Sequence, residues 1–260
     1  AGFMLETPIA CVLLLFPISE IVKNIVDFTI IKTVRPKHIP RMGMKKGVPA
    51  EGRTVCVISA LLNSKESAPI YAAQLEEYYL ANRSAGGNLI FGVLGDLSES
   101  RTEQNEGDDE IIEKMRAEID GLNEKYGGRF YFFCRPRKYN ESCARYMGWE
   151  RKRGAILELV RLIKGRDSGI DVICGEKRSL YSVKYIITLD SDTTLEPDTA
   201  MELIGAMLHP LNRAVVDKRR KIVKEGSGII QPRVSVSLEA ANKSDFTRIF
   251  AGRGGTDPYG

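Results

Sequence analysis

Two aspartates, Asp190 and Asp192, follow directly on the apolar run Tyr185-Ile186-Ile187-Thr188-Leu189. Carboxylates at i and i+2, where a buried strand leaves the core, offer hard oxygen ligands to one Mg²⁺ or Mn²⁺. The ion's remaining positions can then take diphosphate oxygens. This is chemistry suited to a nucleotide-sugar transferase, in which a cation neutralises the departing diphosphate. Asp190 and Asp192 are therefore the candidate metal ligands, and Asp190 a candidate nucleotide contact as well. The competing interpretation is a solvated turn, but the strand before the pair and the helix start at Pro197 after it favour the site.

Other residues supply what such a site needs. Asp96 closes Gly92-Val93-Leu94-Gly95-Asp96, where a carboxylate can accept hydrogen bonds from a base N–H or a ribose hydroxyl, or cap a turn. In Trp149-Glu150-Arg151-Lys152-Arg153-Gly154, three consecutive cations at a helix start oppose the helix dipole. A bound diphosphate would compensate them, arginine as a planar fork and lysine as a compact charge. Lys152 and Arg153 are the candidates; the bland alternative is a solvated basic face. Trp149, the only tryptophan, suits either a sugar ring or the core. Ser59 lies at the end of the first strand. Arg135, Arg137 and Asn140 follow the third, either beside the site or in solvent. Arg233 is a weaker candidate on an expected strand over 228–236, and His209-Pro210 reads as a helix stop.

The elements that position these residues alternate. Strands are expected at 54–60, 89–94, 130–134 and up to 190, and helices at 67–79, 108–126, 150–164 and 197–208. Residues 165–184 read as a polar loop before the strand that ends at Asp190. The alternation implies right-handed β-α-β units and a mainly parallel α/β sheet with helices on both faces, with ligands at the carboxyl edge of the strands. Ser59, Asp96, Arg135 and Asp190 should gather there.

The chain has 260 residues, a net charge of +4 and 43% hydrophobic residues, enough for one sizeable domain and a good core. The weak charge, without a basic stripe interleaved with aromatics, argues against nucleic acid and fits an anionic substrate. Five scattered cysteines with no C-x-x-C pattern point to reduced thiols. Residues 1–19 carry Glu6 as their only charge and precede Lys32, Arg35, Lys37 and Arg41. That order fits a membrane-associated or transmembrane segment over 1–34 with its basic flank in the cytoplasm, or an apolar helix packed on the domain. Pro36, Pro40 and Pro49 make 35–52 a linker, so the folded domain is expected over 53–260. Both ends look cut, as in a fragment.

Taken together, Ser59-Ala60-Leu61-Leu62, Trp149-Glu150-Arg151-Lys152-Arg153-Gly154, Ile187-Thr188-Leu189-Asp190-Ser191-Asp192-Thr193, His209-Pro210-Leu211-Asn212 and Gln231-Pro232-Arg233-Val234 resemble the glycosyltransferase domain of cyclic β-1,2-glucan synthases. The resemblance implies a GT-A fold, UDP-glucose as donor, a divalent metal, a glucan acceptor and an inverting transfer. It also implies a place in the bacterial inner membrane with the site facing the cytoplasm. It places the base and an acceptor-binding Arg/Trp motif after Gly260, so a fragment ending there should bind donor but not turn over. Two rivals remain. Asp190-Ser191-Asp192-Thr193-Thr194 also resembles the nucleophile motif of haloacid-dehalogenase phosphatases, with Asp190 attacking phosphorus. The other rival is a non-catalytic module that binds a sugar nucleotide or a glucan.

Overall fold

The computed structural model describes residues 2–35, 38–232, 234, 237 and 241–250. These fall into two units, one drawn from 1–39 and 229–260 and the other formed by 40–228. The first contains the helices α1 (Gly2–Thr33) and α7 (Asp245–Phe250). Along α1, Leu13, Leu15, Phe16, Ile21, Ile25 and Phe28 all stand exposed. No helix among the described residues is long and apolar enough to cross a membrane.

The second unit is built on a five-stranded sheet of order β6-β3-β2-β1-β7. Its strands are β1 (Thr54–Leu62), β2 (Leu89–Leu97), β3 (Phe130–Arg135), β6 (Asp171–Cys174) and β7 (Tyr185–Asp190). β1, β2, β3 and β7 are mutually parallel, whereas β6 pairs antiparallel with β3 at the sheet edge. β6 corrects the expectation of a loop throughout 165–184. Its four residues are too few to show a period, and Asp171 interrupts the apolar run. The strand expected over 228–236 is also corrected, because the described residues of that span are irregular. Pro232 lacks the N–H that a ladder requires. Arg233 lies outside the described residues. A short hairpin stands just before it, β8 (Val215–Asp217) with β9 (Ile222–Glu225).

Alternation along the strands sorts the core into two layers. Cys56, Ile58, Ala60 and Leu62 face one way, onto α2 (Ser67–Ala81), α3 (Asp108–Tyr126) and α6 (Thr199–Leu208). Val55, Val57, Ile90, Leu94, Tyr131 and Phe133 face the other way, onto Ala155, Leu159 and Leu162 of α4 (Arg151–Ile163). The helices thus cover both faces, and the fold is the Rossmann-like α/β arrangement expected. The helix expected from Pro197 starts at Thr199, after Asp198 turns left-handed at φ 59° and accepts a hydrogen bond from Ser84 Oγ at 2.6 Å. The four-residue α5 (Lys177–Leu180) completes the helices of this unit.

Arg137, considered near the site or in solvent, does neither. Its guanidinium is buried on Asp108 at the start of α3, with Nη2 donating to Oδ1 at 2.9 Å and Nε donating to the Ser98 carbonyl at 2.5 Å. The Arg137 hydrogen bonds hold the Asp108 carboxyl below its ordinary value of 3.8 against the opposing pull of burial. A carboxylate depressed in the folded state adds stability above its unfolded pKa and loses it as pH falls through the folded value. Unfolding free energy should therefore drop as pH falls below about 3.8. In Asp108→Asn that contribution to the slope should vanish, as measured by urea melts across pH 2–6.

Candidate functional site

Register and face bring the expected residues together. Ser59 on β1 pairs with Asp190 on β7, Leu61 with Asp96, and Asp96 with Arg135. Ser59 continues the Val55/Val57 face of β1, Asp96 the Ile90/Leu94 face of β2, and Arg135 the Tyr131/Phe133 face of β3. All four therefore stand at the carboxyl edge, on the side that α4 covers. The N-terminus of α4 supplies Lys152, whose ammonium contacts Asp190 Oδ1. Desolvation lowers the Lys152 pKa, and the nearby charge of Asp192 acts in the opposite direction. The Ser59 hydroxyl is buried beside this pair with no hydrogen-bond partner among the described residues. An orphaned polar atom at a ligand edge is a place for a ligand group to bond.

The other candidates sit differently. Asp192 is exposed on the loop after β7. Arg153 pairs with Glu150 at 3.1 Å and is 78% exposed, with no described contact to the Asp190 pair. Asp96 already has both oxygens engaged. Arg135 Nε donates to Oδ1 at 2.6 Å and Nη2 to Oδ2 at 2.5 Å. His209 ends α6, its Nδ1 accepting from the Leu211 N–H at 3.3 Å, as a helix stop should.

Two supports have roles that the sequence did not show. The first is Arg135, 1% exposed, which besides Asp96 donates to the carbonyls of Trp149 at 3.0 Å and Arg151 at 2.8 Å and lies 3.6 Å from Glu158. Those carbonyls bracket Glu150 and Arg151, both held left-handed at φ 49°. Such backbone costs about 1–3 kcal/mol per residue and persists only where its surroundings impose it. Glycine is required on either side. A Cβ on Gly148 would lie 2.7 Å from Asp96 Oδ2 and Arg135 Nη2, and one on Gly154 would lie 1.8 Å from the Trp149 carbonyl oxygen. The result aims α4 so that Lys152 reaches Asp190.

The second support is on α2. Tyr78 donates its hydroxyl to the Thr193 carbonyl, and Gln74 Nε2 donates to the Ser191 carbonyl at 3.2 Å and to Tyr78 Oη at 2.6 Å. The aspartate loop is thereby pinned to a core helix. Burial pushes the Tyr78 hydroxyl up to about 12, so it stays a donor at all ordinary pH. Tyr78→Phe should leave the Thr193 carbonyl with only the long Gln74 Nε2 contact at 3.4 Å and cost about 1–3 kcal/mol in chemical denaturation. Unchanged stability would refute the pinning.

The metal reading can be tested against the donor set. No group of three or more His, Cys, Asp or Glu side chains among the described residues is arranged to hold an ion. Asp190 and Asp192 are two hard oxygen donors, one held by a cation and the other free toward solvent. Such a pair fits an ion of the Mg²⁺ type, which keeps waters and binds through one or two carboxylates plus substrate phosphates. It does not fit a closed structural site.

A Rossmann-like α/β sheet with a carboxylate–lysine pair at its carboxyl edge defines a fold class and the edge where ligands of such folds commonly bind, but not a reaction. No family model matches the chain. Over 254 residues, 95% of its length, it is 35% identical to the cyclic beta-(1,2)-glucan synthase NdvB of Rhizobium meliloti (strain 1021). The chain spans 9% of the length of that protein. The chain is thus similar to a cyclic β-1,2-glucan synthase over nearly all of its own length, in line with the motifs.

Proposed function

We propose that this chain is the donor-binding part of a glycosyltransferase that uses UDP-glucose and a divalent cation to extend a β-1,2-glucan with inversion. The observation that carries this reading is the Ser59–Lys152–Asp190 cluster at the carboxyl edge of the sheet, with Asp192 free beside it. Relatedness to a glucan synthase supports it.

Asp190 and Asp192 would hold Mg²⁺ or Mn²⁺, which when bound neutralises charge on the diphosphate. Lys152 adds a positive charge to the same edge, and its contact with Asp190 keeps it there until the donor arrives. Ser59 offers its unpartnered hydroxyl to the nucleotide, and Asp96, fixed by Arg135, borders the nucleoside side. Arg153 lies nearer solvent and reaches the donor only by leaving Glu150. No residue of this chain is assigned as the base that deprotonates the acceptor hydroxyl. The exposed apolar surface of α1, with Lys32 in its last turn and Arg35 just after it, supports placement at the bacterial inner membrane with the site facing the cytoplasm.

Calorimetric titration of UDP-glucose tests the reading. Saturable binding with Mn²⁺ that disappears on chelation is expected. No binding, or binding indifferent to the metal, would overturn it.

A further inference from the structure

A second feature lies beside this edge. The antiparallel hairpin β4 (Lys138–Asn140) and β5 (Arg145–Met147) walls an open cavity of about 580 Å³ whose other side is the Trp149–Arg151 loop. That volume is within the usual range for small-ligand sites. Two aromatic side chains face it half open to solvent, Trp149 at 40% and Tyr139 at 56% exposure. Tyr139 packs edge-on against its cross-strand partner Tyr146, with centroids 5.2 Å apart, which steadies the ring. The Trp149 backbone is fixed from beneath by Arg135.

The charged lining residues are two cations, Lys138 and Arg151, and two carboxylates, Glu141 and Glu150. Their charges cancel. Glu99 holds Arg151, Arg153 holds Glu150 and Glu158 holds Lys138. A net-neutral wall of pre-positioned polar groups around exposed aromatic rings does not select a phosphate or a nucleic acid. It matches a neutral ligand with apolar C–H faces and many hydroxyls, which is a saccharide.

We propose that this cavity is a binding subsite for the glucan acceptor, with Trp149 and Tyr139 as its sugar platforms. The proposal rests on the donor reading above. Arg151 lines the cavity and the next residue, Lys152, touches Asp190. The loop that Arg135 fixes would then present an acceptor wall on one side and a donor cation on the other.

Trp149 is the only tryptophan in the chain, so its fluorescence reports on this cavity directly. Titration of the unmodified chain with linear β-1,2-linked glucose oligomers, without nucleotide or metal, should give a saturable change in emission. Tyr139→Ala, which removes an exposed ring from a surface hairpin, should raise the half-saturation concentration about tenfold while far-UV circular dichroism stays unchanged. No saturable change in the unmodified chain up to tens of millimolar would overturn the proposal. So would an unshifted titration in Tyr139→Ala. Because the donor reading is decided by metal-dependent UDP-glucose binding, failure of one is separable from failure of the other.

Discussion

Arg135→Ala lowers the unfolding free energy by about 3–5 kcal/mol, the typical cost of leaving buried charge without its partner. The side chain is 1% exposed, and its removal leaves Asp96, 16% exposed, without its ion-pair partner and Glu158, 5% exposed, with only Lys138 at 3.5 Å. It also releases the carbonyls of Trp149 and Arg151, which hold two left-handed residues in place. Arg135→Lys should recover only part of the loss. An ammonium can face one carboxylate, but it lacks the planar fork that reaches Asp96 and two carbonyls together. Urea denaturation at neutral pH measures both. A loss under about 1 kcal/mol for the alanine variant would mean the charges find other partners and the loop stands without Arg135.

Asp192→Ala has the opposite profile, little change in stability and a large change in binding. Asp192 is exposed on its loop, so its removal disturbs no packing. In the proposed site its carboxylate is nevertheless half of the donor set for the cation. Mn²⁺-dependent affinity for UDP-glucose should fall by about 100-fold or more, beyond the usual effect of residues that merely orient a ligand. Calorimetry with the variant and saturating Mn²⁺ checks this. Affinity equal to that of the unmodified chain would remove Asp192 from the site.

The sheet was legible because β1, β2 and β3 are apolar runs buried on both faces, which need no period to be recognised, and because β7, although only half-buried at the sheet edge, also carries a mostly apolar run up to Asp190. The edge cluster was legible for a related reason. Once the strands are known to be parallel, polar residues at their carboxyl ends must fall together, and Ser59 and Asp190 prove to be register partners. Arg135 was expected at this edge, but the buried anchoring that it and Arg137 provide was not legible. Arg135 ends its strand and Arg137 follows it, where surface residues are common, and only the cross-strand pairing with Asp96 and the fold-back onto Asp108 decide otherwise. The best available signal was the charge complement of Asp96 and Arg135 at two neighbouring strand ends. Tyr78 left no signal, because its target is a backbone carbonyl 115 residues away. The antiparallel β6 was missed because an edge strand of four residues carries too little pattern.

The central claim concerns one ion and two carboxylates. Crystals of the chain grown with Mn²⁺ and UDP-glucose, measured above the manganese absorption edge, test it most directly. The account predicts an anomalous peak within about 2.0–2.2 Å of an Asp192 oxygen, shared with the donor's diphosphate and next to Asp190. A nucleotide bound with no peak there, or a peak held by other residues, would contradict it.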